Sequence, residues 1–394
     1  MSADGIKGKW REKGVSAPRR PRTADRDLKS KSLTLEPVPG EVQERFKNLH
    51  LNGNLPDRRI SRILGRAPNW VGDAVMSLPV LTGLNRLFPH ASVTMLASPR
   101  VAPLYEAHPY VTEIIPYPPD RRKWRVLWTL RSRRFDLALA LPNSLESALG
   151  LWLAGARHRL GYNTDGRRTF LTMALSGRKH LKGLHQIYYY LGLLKAWGGQ
   201  TEFAPPMLYL KPEEIDAATK LLNDAPLPTR GPLIGLSPGA AYGPAKRWRP
   251  ERFAGVADRL QEEFSARFVL LGGPGDREAA DQVATLFGRP LLNLAGRTSL
   301  REAMGVLSRL SLLITNDSGL MHAAAALGVP IVALFGSTDP VATGPFTEWA
   351  TVLHHPLDCS PCLKRTCEED YRCLTAISVD EVVDAARRWL VEAA

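Results

Sequence analysis

The sequence predicts a two-domain α/β protein in which each domain contains a parallel, doubly wound sheet. Short apolar segments bounded by turn residues alternate with helix-favouring segments over residues 58–222, and the same alternation begins again over 232–378. A stretch containing Pro and Gly, 223–231, separates the two and is the predicted linker. Alternating strands and helices are typical of parallel sheets covered by helices. A chain of 394 residues, 44% of them hydrophobic, is large enough for two cores.

The first 57 residues differ in composition from the rest of the chain. They are rich in Lys and Arg, contain Pro, and show neither helical nor strand periodicity, so we expect a basic, mostly disordered extension over 1–57. The formal net charge of the chain is +13 at pH 7, which favours acidic partners such as nucleotide phosphates, nucleic acid or an anionic membrane face. For the extension itself, a solvated tail is the simplest interpretation.

The sequence also bears on where the protein works. It contains no apolar run that reaches the roughly 20 residues needed to cross a bilayer. The positive charges at the amino terminus are not followed by an apolar segment, which argues against a secretory signal. We therefore expect a cytoplasmic protein, at most peripheral on the inner face of the cytoplasmic membrane.

The first domain is predicted to begin with a strand at Arg62, followed by a loop and a helix that opens near Gly72 and Asp73. Further strands are predicted at 92–96, 112–115, 135–140 and 159–161, with helices at 101–107, 123–133, 186–197 and 212–223. The second domain has predicted strands at 233–236, 267–271, 291–293, 312–314 and 331–335, with helices at 250–264, 277–286, 300–309 and 321–327. An amphipathic helix at 379–392 lies in the last segment, 379–394.

Polar residues crowd the loop after the strand at 312–314. Asp317, Ser318 and Gly319 precede a short Ala-rich helix that carries His322 in its first turn. Ligands of open α/β sheets bind at such carboxyl ends, and the free N–H groups of a helix N-terminus stabilise a phosphate. Taken singly, Asp317 or Ser318 is more simply a helix cap and His322 a satisfied helix histidine. The combination in one loop favours a binding site.

Two other strand-end loops of the second domain carry candidate groups. The loop after the strand at 233–236 contains Ser237, Gly239 and Lys246, and the next strand-end loop contains Asp276. Lys246 alone is more simply a surface lysine. The loop matches neither G-x-x-x-x-G-K-[ST] nor G-x-G-x-x-G, the two common phosphate-binding motifs.

The first domain offers a carboxylate in the corresponding place. The run Asn-Trp-Val-Gly-Asp at 69–73 puts Trp70, Gly72 and Asp73 where the first strand gives way to its helix. The simple alternatives are that Asp73 interacts with the helix dipole and that Trp70 is a core aromatic residue. A carboxylate at this place also fits a general base for an attacking hydroxyl.

These motifs resemble those of one known family. The runs D-S-G-L-M-H-A-A-A-A-L-G-V-P, A-L-F-G-S-T-D-P, S-P-G-A-A-Y-G-P-A-K-R-W and N-W-V-G-D resemble the signatures of the ADP-heptose:lipopolysaccharide heptosyltransferases, glycosyltransferase family 9. The resemblance covers residues from about 62 to 390 and implies the GT-B fold: two Rossmann-like domains facing a cleft, with the last helix packing back on the first domain. A basic amino-terminal extension departs from the family pattern.

The resemblance also implies chemistry and partners. Asp73 is the implied general base of an inverting transfer, and Lys246 would neutralise the diphosphate. The implied substrate-binding residues are Trp70, Gly72, Ser237, Gly239, Lys246, Asp276, Asp317, Ser318, Gly319 and His322. The donor would be ADP-heptose, the acceptor a lipid-anchored core oligosaccharide at the anionic inner-membrane surface, and no nucleic acid is expected.

Alternatives within and outside this family remain open. One is a family 9 member that uses another heptose acceptor. The other is a non-catalytic protein that binds a nucleotide sugar or a nucleic acid, which the positive charge also fits.

A metal or cofactor is not expected in the reaction, since no Asp-x-Asp motif stands at a strand end. The four cysteines, Cys359, Cys362, Cys367 and Cys373, have C-x2-C-x4-C-x5-C spacing. That spacing fits a structural zinc site as well as it fits reduced structural thiols.

The segment 121–134 is basic and carries Trp124 and Trp128 one helical turn apart. An amphipathic helix with its Trp stripe on the sheet is the simplest prediction. Attraction to an anionic bilayer is a second use that its charge permits.

Overall fold

The computed structural model describes residues 36–37, 39–56, 59–197 and 202–392, which form two compact units divided between Met207 and Leu208. The described strands are β1 Glu36–Pro37, β2 His50–Asn52, β3 Arg62–Arg66, β4 Ser92–Ala97, β5 Glu113–Pro116, β6 Leu137–Ala140, β7 His158–Tyr162, β8 Met173–Ser176, β9 Glu202–Phe203, β10 Leu233–Ser237, β11 Arg267–Leu270, β12 Leu292–Asn293, β13 Leu312–Asn316, β14 Ile331–Phe335 and β15 Ala350–His354. The described α-helices are α1 Gly40–Lys47, α2 Val71–Met76, α3 Pro79–Leu87, α4 Arg122–Thr129, α5 Leu145–Leu153, α6 Gln186–Gly192, α7 Pro212–Asn223, α8 Pro250–Phe264, α9 Arg277–Phe287, α10 Leu300–Leu307, α11 Gly319–Ala326, α12 Pro340–Thr343, α13 Arg372–Thr375 and α14 Val379–Glu392.

The sheet of the first unit has, among described residues, the strand order β2-β8-β7-β6-β3-β4-β5. Every neighbouring pair in it is parallel except β2 and β8 at one edge. Because β3 pairs with both β4 and β6, the strand order reverses beside it. The carboxyl end of β3 is therefore the switch point where ligands of such sheets bind.

The amino-terminal boundary of the first domain was predicted wrongly. Residues 1–35 lie outside the described residues, but α1 and β2 fall inside the stretch expected to be a disordered extension. Val42 and Phe46 of α1 are buried, and β2 pairs with β8 as an edge strand. The two buried apolar side chains, together with a hydrogen bond from Arg45 Nη1 to the Lys182 carbonyl oxygen at 2.8 Å, hold this short helix against the domain.

The sheet of the second unit is parallel throughout, with the order β12-β11-β10-β13-β14-β15 over the residues described. Its switch point lies between β10 and β13, whose carboxyl ends carry Ser237 and Asn316. The strands are nearly continuous apolar runs because helices cover both faces of such a sheet. With two parallel-dominated sheets, the predicted α/β class is confirmed.

The predicted linker at 223–231 does not coincide with the division between the units. Helix α7 precedes that stretch yet packs on α10 within the second unit, where Arg301 Nε donates to Glu214 Oε1 at 2.7 Å. A Cβ at Gly305 would lie 2.9 Å from the Glu214 carbonyl oxygen, so the two helices approach closely. The division falls about fifteen residues earlier because these contacts tie α7 to the second core.

The last helix was predicted to pack back on the first domain, and its described contacts lie in the second unit. Helix α14 packs on α8 and on β13 to β15 of the second unit. Val383, Ala386 and Leu390 are buried in the second core, and Arg387 Nε donates to Glu263 Oε1 at 2.7 Å. The apolar stripe of this helix is thus satisfied within its own unit.

Helix α4 turns a different face inward from the one predicted. Leu127 is fully buried and Leu130 nearly so, whereas Trp128 is 63% exposed and Trp124 is 36% exposed. The two leucines fill the space against α5 and the sheet, so the Trp stripe points outward. No helix in the described part of the chain is long and apolar enough to cross a membrane.

Candidate active site

Asp73 stands at the switch point of the first sheet, in the first turn of α2, just after β3. The hydroxyl of Tyr190, on α6, donates a hydrogen bond to Asp73 Oδ1 at 3.0 Å. Burial, reinforced by the neighbouring Asp73 charge, raises the pKa of Tyr190 well above its ordinary value. Tyr190 is therefore a permanent donor that fixes the orientation of this carboxylate. The sequence analysis missed Tyr190, because nothing in the local sequence indicates a contact 117 positions away.

A buried arginine, Arg66, binds the loop that precedes Asp73. Arg66 Nη2 donates to Asn69 Oδ1 at 2.8 Å, and the guanidinium lies 4.2 Å from the ring centroid of Tyr117. Burial lowers the pKa of Arg66.

The simplest interpretation of Trp70 was a core residue, but its side chain is 43% exposed at the start of the helix. Gly72 is the second residue of α2 and is half-buried. The loop thus presents an exposed indole and a held carboxylate.

The second unit brings Lys246 and Asp317 into direct contact. Lys246 Nζ lies 2.5 Å from Asp317 Oδ2, with the two side chains 13% and 5% exposed. Thr338, in the loop after β14, donates to the same oxygen at 2.6 Å. Three loops, which follow β10, β13 and β14, therefore converge on one carboxylate. Thr338 was not predicted as a site residue, although its strand-end position was a usable signal.

Asn316 fastens two of these loops together. Its Nδ2 donates to the Pro238 carbonyl oxygen at 2.7 Å, and its Oδ1 accepts from the Trp248 backbone N–H at 3.1 Å. Lys246 Nζ also lies 4.9 Å from the ring centroid of Tyr242. These contacts fix the backbone on either side of Lys246.

The residues after Asp317 form a helix start of the expected kind. Ser318 is the N-cap of α11, and its Oγ accepts from the Met321 N–H at 3.4 Å. Gly319 is the first helical residue, and His322, the fourth, is buried. The prediction that Ser318 caps this helix is therefore confirmed. Lys246 contacts Asp317, which immediately precedes the N-cap. A cation therefore lies near the amino-terminal end of α11, which itself favours an anion.

Ser237, Gly239 and Asp276 lie at the neighbouring strand ends. Ser237 is the buried last residue of β10, and Asp276 Oδ2 accepts from the Gly273 N–H at 2.9 Å. Asp276 also pairs with Arg247 at 3.8 Å. A Cβ at Gly239 would lie 2.1 Å from Asp276 Cγ, so only glycine permits this approach. Asp276 therefore ties the first two strand-end loops together.

The four cysteines line one small cavity of about 20 Å³. The backbone N–H groups of Glu369 and Tyr371 approach Cys367 Sγ at 3.3 and 3.4 Å, and burial raises the pKa of Cys373. Across the described ranges, no three His, Cys, Asp or Glu side chains stand together as a metal site. The thiols thus share a cavity without forming a metal-binding cluster.

Two doubly wound sheets of mostly parallel strands, with a strand-end carboxylate on one and a cation near a helix start on the other, are the fold and groups of a GT-B glycosyltransferase. The chain belongs to glycosyltransferase family 9, whose model, described as glycosyltransferase family 9 (heptosyltransferase), matches residues 123–372. The family that the motifs indicated is confirmed.

Named relatives sharpen this assignment. The chain is 34% identical over 310 residues to lipopolysaccharide heptosyltransferase 2 of Salmonella typhimurium, covering 74% of this chain and 87% of the relative. It resembles the solved E. coli ADP-heptose lps heptosyltransferase II with a TM-score of 0.71 and 29% identity, covering 84% of this chain and 99% of that one. A family 9 transferase of Veillonella parvula gives a TM-score of 0.75 at 27% identity, with 85% and 99% covered.

Proposed function

We propose that this enzyme transfers L-glycero-D-manno-heptose from ADP-heptose to the first heptose of the lipopolysaccharide inner core. The observation that carries the proposal is the buried Lys246–Asp317 contact beside the start of α11, at the switch point of the second sheet. Its relatives named heptosyltransferase 2 support the choice of sugar and acceptor.

The donor-binding role is assigned to the second unit. Lys246 and the first N–H groups of α11 provide positive charge for the diphosphate, with Ser318 and Gly319 at the helix start. Lys246 and Thr338 hold the Asp317 carboxylate in place through Oδ2, and we assign to this carboxylate hydrogen bonds from sugar hydroxyls. The predicted contributors Ser237, Gly239, Asp276 and His322 complete the donor-site proposal.

The proton-transfer role is assigned to Asp73. The acceptor hydroxyl oxygen attacks the anomeric carbon of the heptose, its proton passes to Asp73, and the bond from that carbon to the diphosphate oxygen breaks. ADP departs with the bonding electron pair, and one displacement inverts the anomeric centre. Tyr190 positions the carboxylate for this step through its hydrogen bond to Oδ1. Trp70 and Gly72 are assigned to the acceptor, Trp70 because its indole is exposed.

The proposed acceptor also suggests where the reaction occurs. The proposed acceptor carries a lipid anchor, so the enzyme would act at the anionic inner surface of the cytoplasmic membrane. The charge of +13 supports attraction to that surface.

Product mass after incubation with defined acceptors tests the proposal. The purified protein receives ADP-heptose with Kdo2-lipid A, heptosyl-Kdo2-lipid A or diheptosyl-Kdo2-lipid A, each with and without EDTA. We expect one added heptose on the second acceptor alone, and the same amount with EDTA because Lys246 supplies the positive charge. Transfer to a different acceptor would identify another family 9 activity. Absence of transfer to any of them, with ADP-heptose still bound, would favour the non-catalytic alternative.

A further inference from the structure

The outward face of α4 and its surroundings form a cationic, aromatic surface on the first unit. We call it the Arg-Trp face. It consists of Arg121, Trp124, Arg125, Trp128, Arg131 and Trp152. The first four share one side of the helix, because positions three and four apart are neighbours on an α-helix.

The two tryptophans of α4 lie outside the core cluster that Leu127 and Leu130 join. Trp128 is 63% exposed, whereas Leu127 and Leu130 fill the core side of the same segment. Arg131 Cζ lies 5.0 Å from the Trp128 ring centroid, and Arg131 Nη1 donates to the Leu153 carbonyl oxygen at 3.4 Å. That carbonyl is next to Trp152, which is 46% exposed. The arginine thus connects the exposed indoles of α4 and α5.

The charged side chains of the segment that contains this helix are all positive. Residues 121–134 contain seven Lys or Arg and no Asp or Glu. Arg122, Lys123 and Arg133 pair with nearby carboxylates. Within the described ranges, Arg121 and Arg125 have no ion pair and are exposed. The positive charge at the centre of the face is therefore available to an external anion.

An apolar groove runs along the other side of the same helix. It has a volume of about 680 Å³, and its lining includes Ile115, Pro118, Val126 and Leu130, with Arg122 and Arg133 among the polar residues. The apolar groove suits the hydrocarbon part of a lipid, and the row of cations beside it suits an anionic headgroup.

We propose that the Arg-Trp face docks the enzyme on an anionic phospholipid bilayer. Tryptophan is enriched at the level of lipid headgroups, where its indole is half apolar and half polar. Each arginine near an anionic surface adds attraction that is screened by salt. The choice of a bilayer as the occupant rests on the proposed lipid-anchored acceptor, whereas the face itself is independent of that function.

Vesicle binding by the full chain tests the docking surface. Partitioning is measured by sedimentation with vesicles of phosphatidylcholine alone or mixed equally with phosphatidylglycerol, at low and high salt. Wild type should prefer the anionic vesicles. The pair Arg121→Gln/Arg125→Gln should weaken partitioning about 30-fold on anionic vesicles, since each basic residue contributes about fivefold. Trp128→Ser should weaken binding to both kinds of vesicle.

Matched changes elsewhere provide the controls. Arg230→Gln/Arg388→Gln removes the same charge from exposed positions of the second unit, and Leu286→Ser removes an exposed apolar side chain there. Both controls should bind vesicles like wild type. Transfer to a delipidated heptosyl-Kdo acceptor should be unchanged in every variant, which also shows that each is folded.

The proposal would be overturned if the Arg121→Gln/Arg125→Gln pair bound anionic vesicles like wild type, or if wild type did not distinguish the two vesicles. Binding of a single-stranded oligonucleotide that is lost in this pair, without vesicle binding, would instead identify a nucleic-acid surface. Vesicle binding without any heptose transfer would leave the docking surface standing and refute the proposed function.

Discussion

The hydroxyl of Tyr190 determines how the Asp73 carboxylate is presented. It donates to Oδ1, and burial keeps it protonated. A general base must point at the proton that it takes. A carboxylate whose rotamer is fixed therefore contributes more to catalysis than one that rotates freely. Asp73 itself was predictable from its place after β3. Its partner was not, because only the tertiary fold brings α6 beside α2.

Replacing Tyr190 by Phe tests this positioning role. We expect Tyr190→Phe to lower kcat about tenfold, in line with the loss of one hydrogen bond to a charged group, with little change in KM for ADP-heptose. Because the pKa of Tyr190 is raised well above about 10, the ratio of wild-type to variant turnover should stay constant as the pH rises to about 9.

The pH series also shows what would contradict that account. A raised pKa means that the donor is fully present below it and lost only at higher pH. If the ratio fell toward one between neutral and mildly alkaline pH, the hydroxyl would be ionising there and could not be a permanent donor. Tyr188→Phe, on the same helix, is the matched control and should leave kcat unchanged.

Among the helices and strands, those with a strong apolar period were predictable. The strand at β14 and the helices α7, α8 and α14 have the predicted bounds, since buried parallel strands and two-faced helices leave clear patterns. Helix α4 was assigned correctly but with the wrong face inward. Its leucines and tryptophans both form an apolar stripe, and sequence alone could not decide which stripe would fit the space beside α5.

Helix α1 gives the clearest test at this scale. Phe46 is 1% exposed, so Phe46→Ala should lower the free energy of unfolding by about 3 kcal/mol through the lost burial and the cavity left behind. Denaturant unfolding followed by circular dichroism measures it. The exposed neighbour Lys47→Ala is the control and should change little. An unfolding free energy for Phe46→Ala equal to that of wild type would show that this helix does not belong to the folded domain.

The whole molecule divides into two units, each with its own sheet, core and candidate groups. The two-domain class was predictable because the strand–helix alternation restarts, but the division near residue 207 was not. Short polar stretches such as 223–231 look like linkers, whereas the true boundary depends on α7 packing against α10. In the proposed donor site, the positions of the individual residues could be predicted because they follow strand ends. The direct contact of Lys246 with Asp317 required three loops to meet in the fold.

Separating binding from transfer tests the central claim most directly. ADP-heptose affinity is measured by calorimetry, and single-turnover heptose transfer by product mass, for Asp73→Asn and Lys246→Ala. Asp73→Asn should bind ADP-heptose like wild type and lose transfer by about 10³-fold. Lys246→Ala should bind it about 100-fold more weakly, because a charge-assisted contact with the diphosphate is lost. Transfer by Asp73→Asn at near wild-type rate, or unchanged affinity in Lys246→Ala, would contradict this assignment of base and donor site.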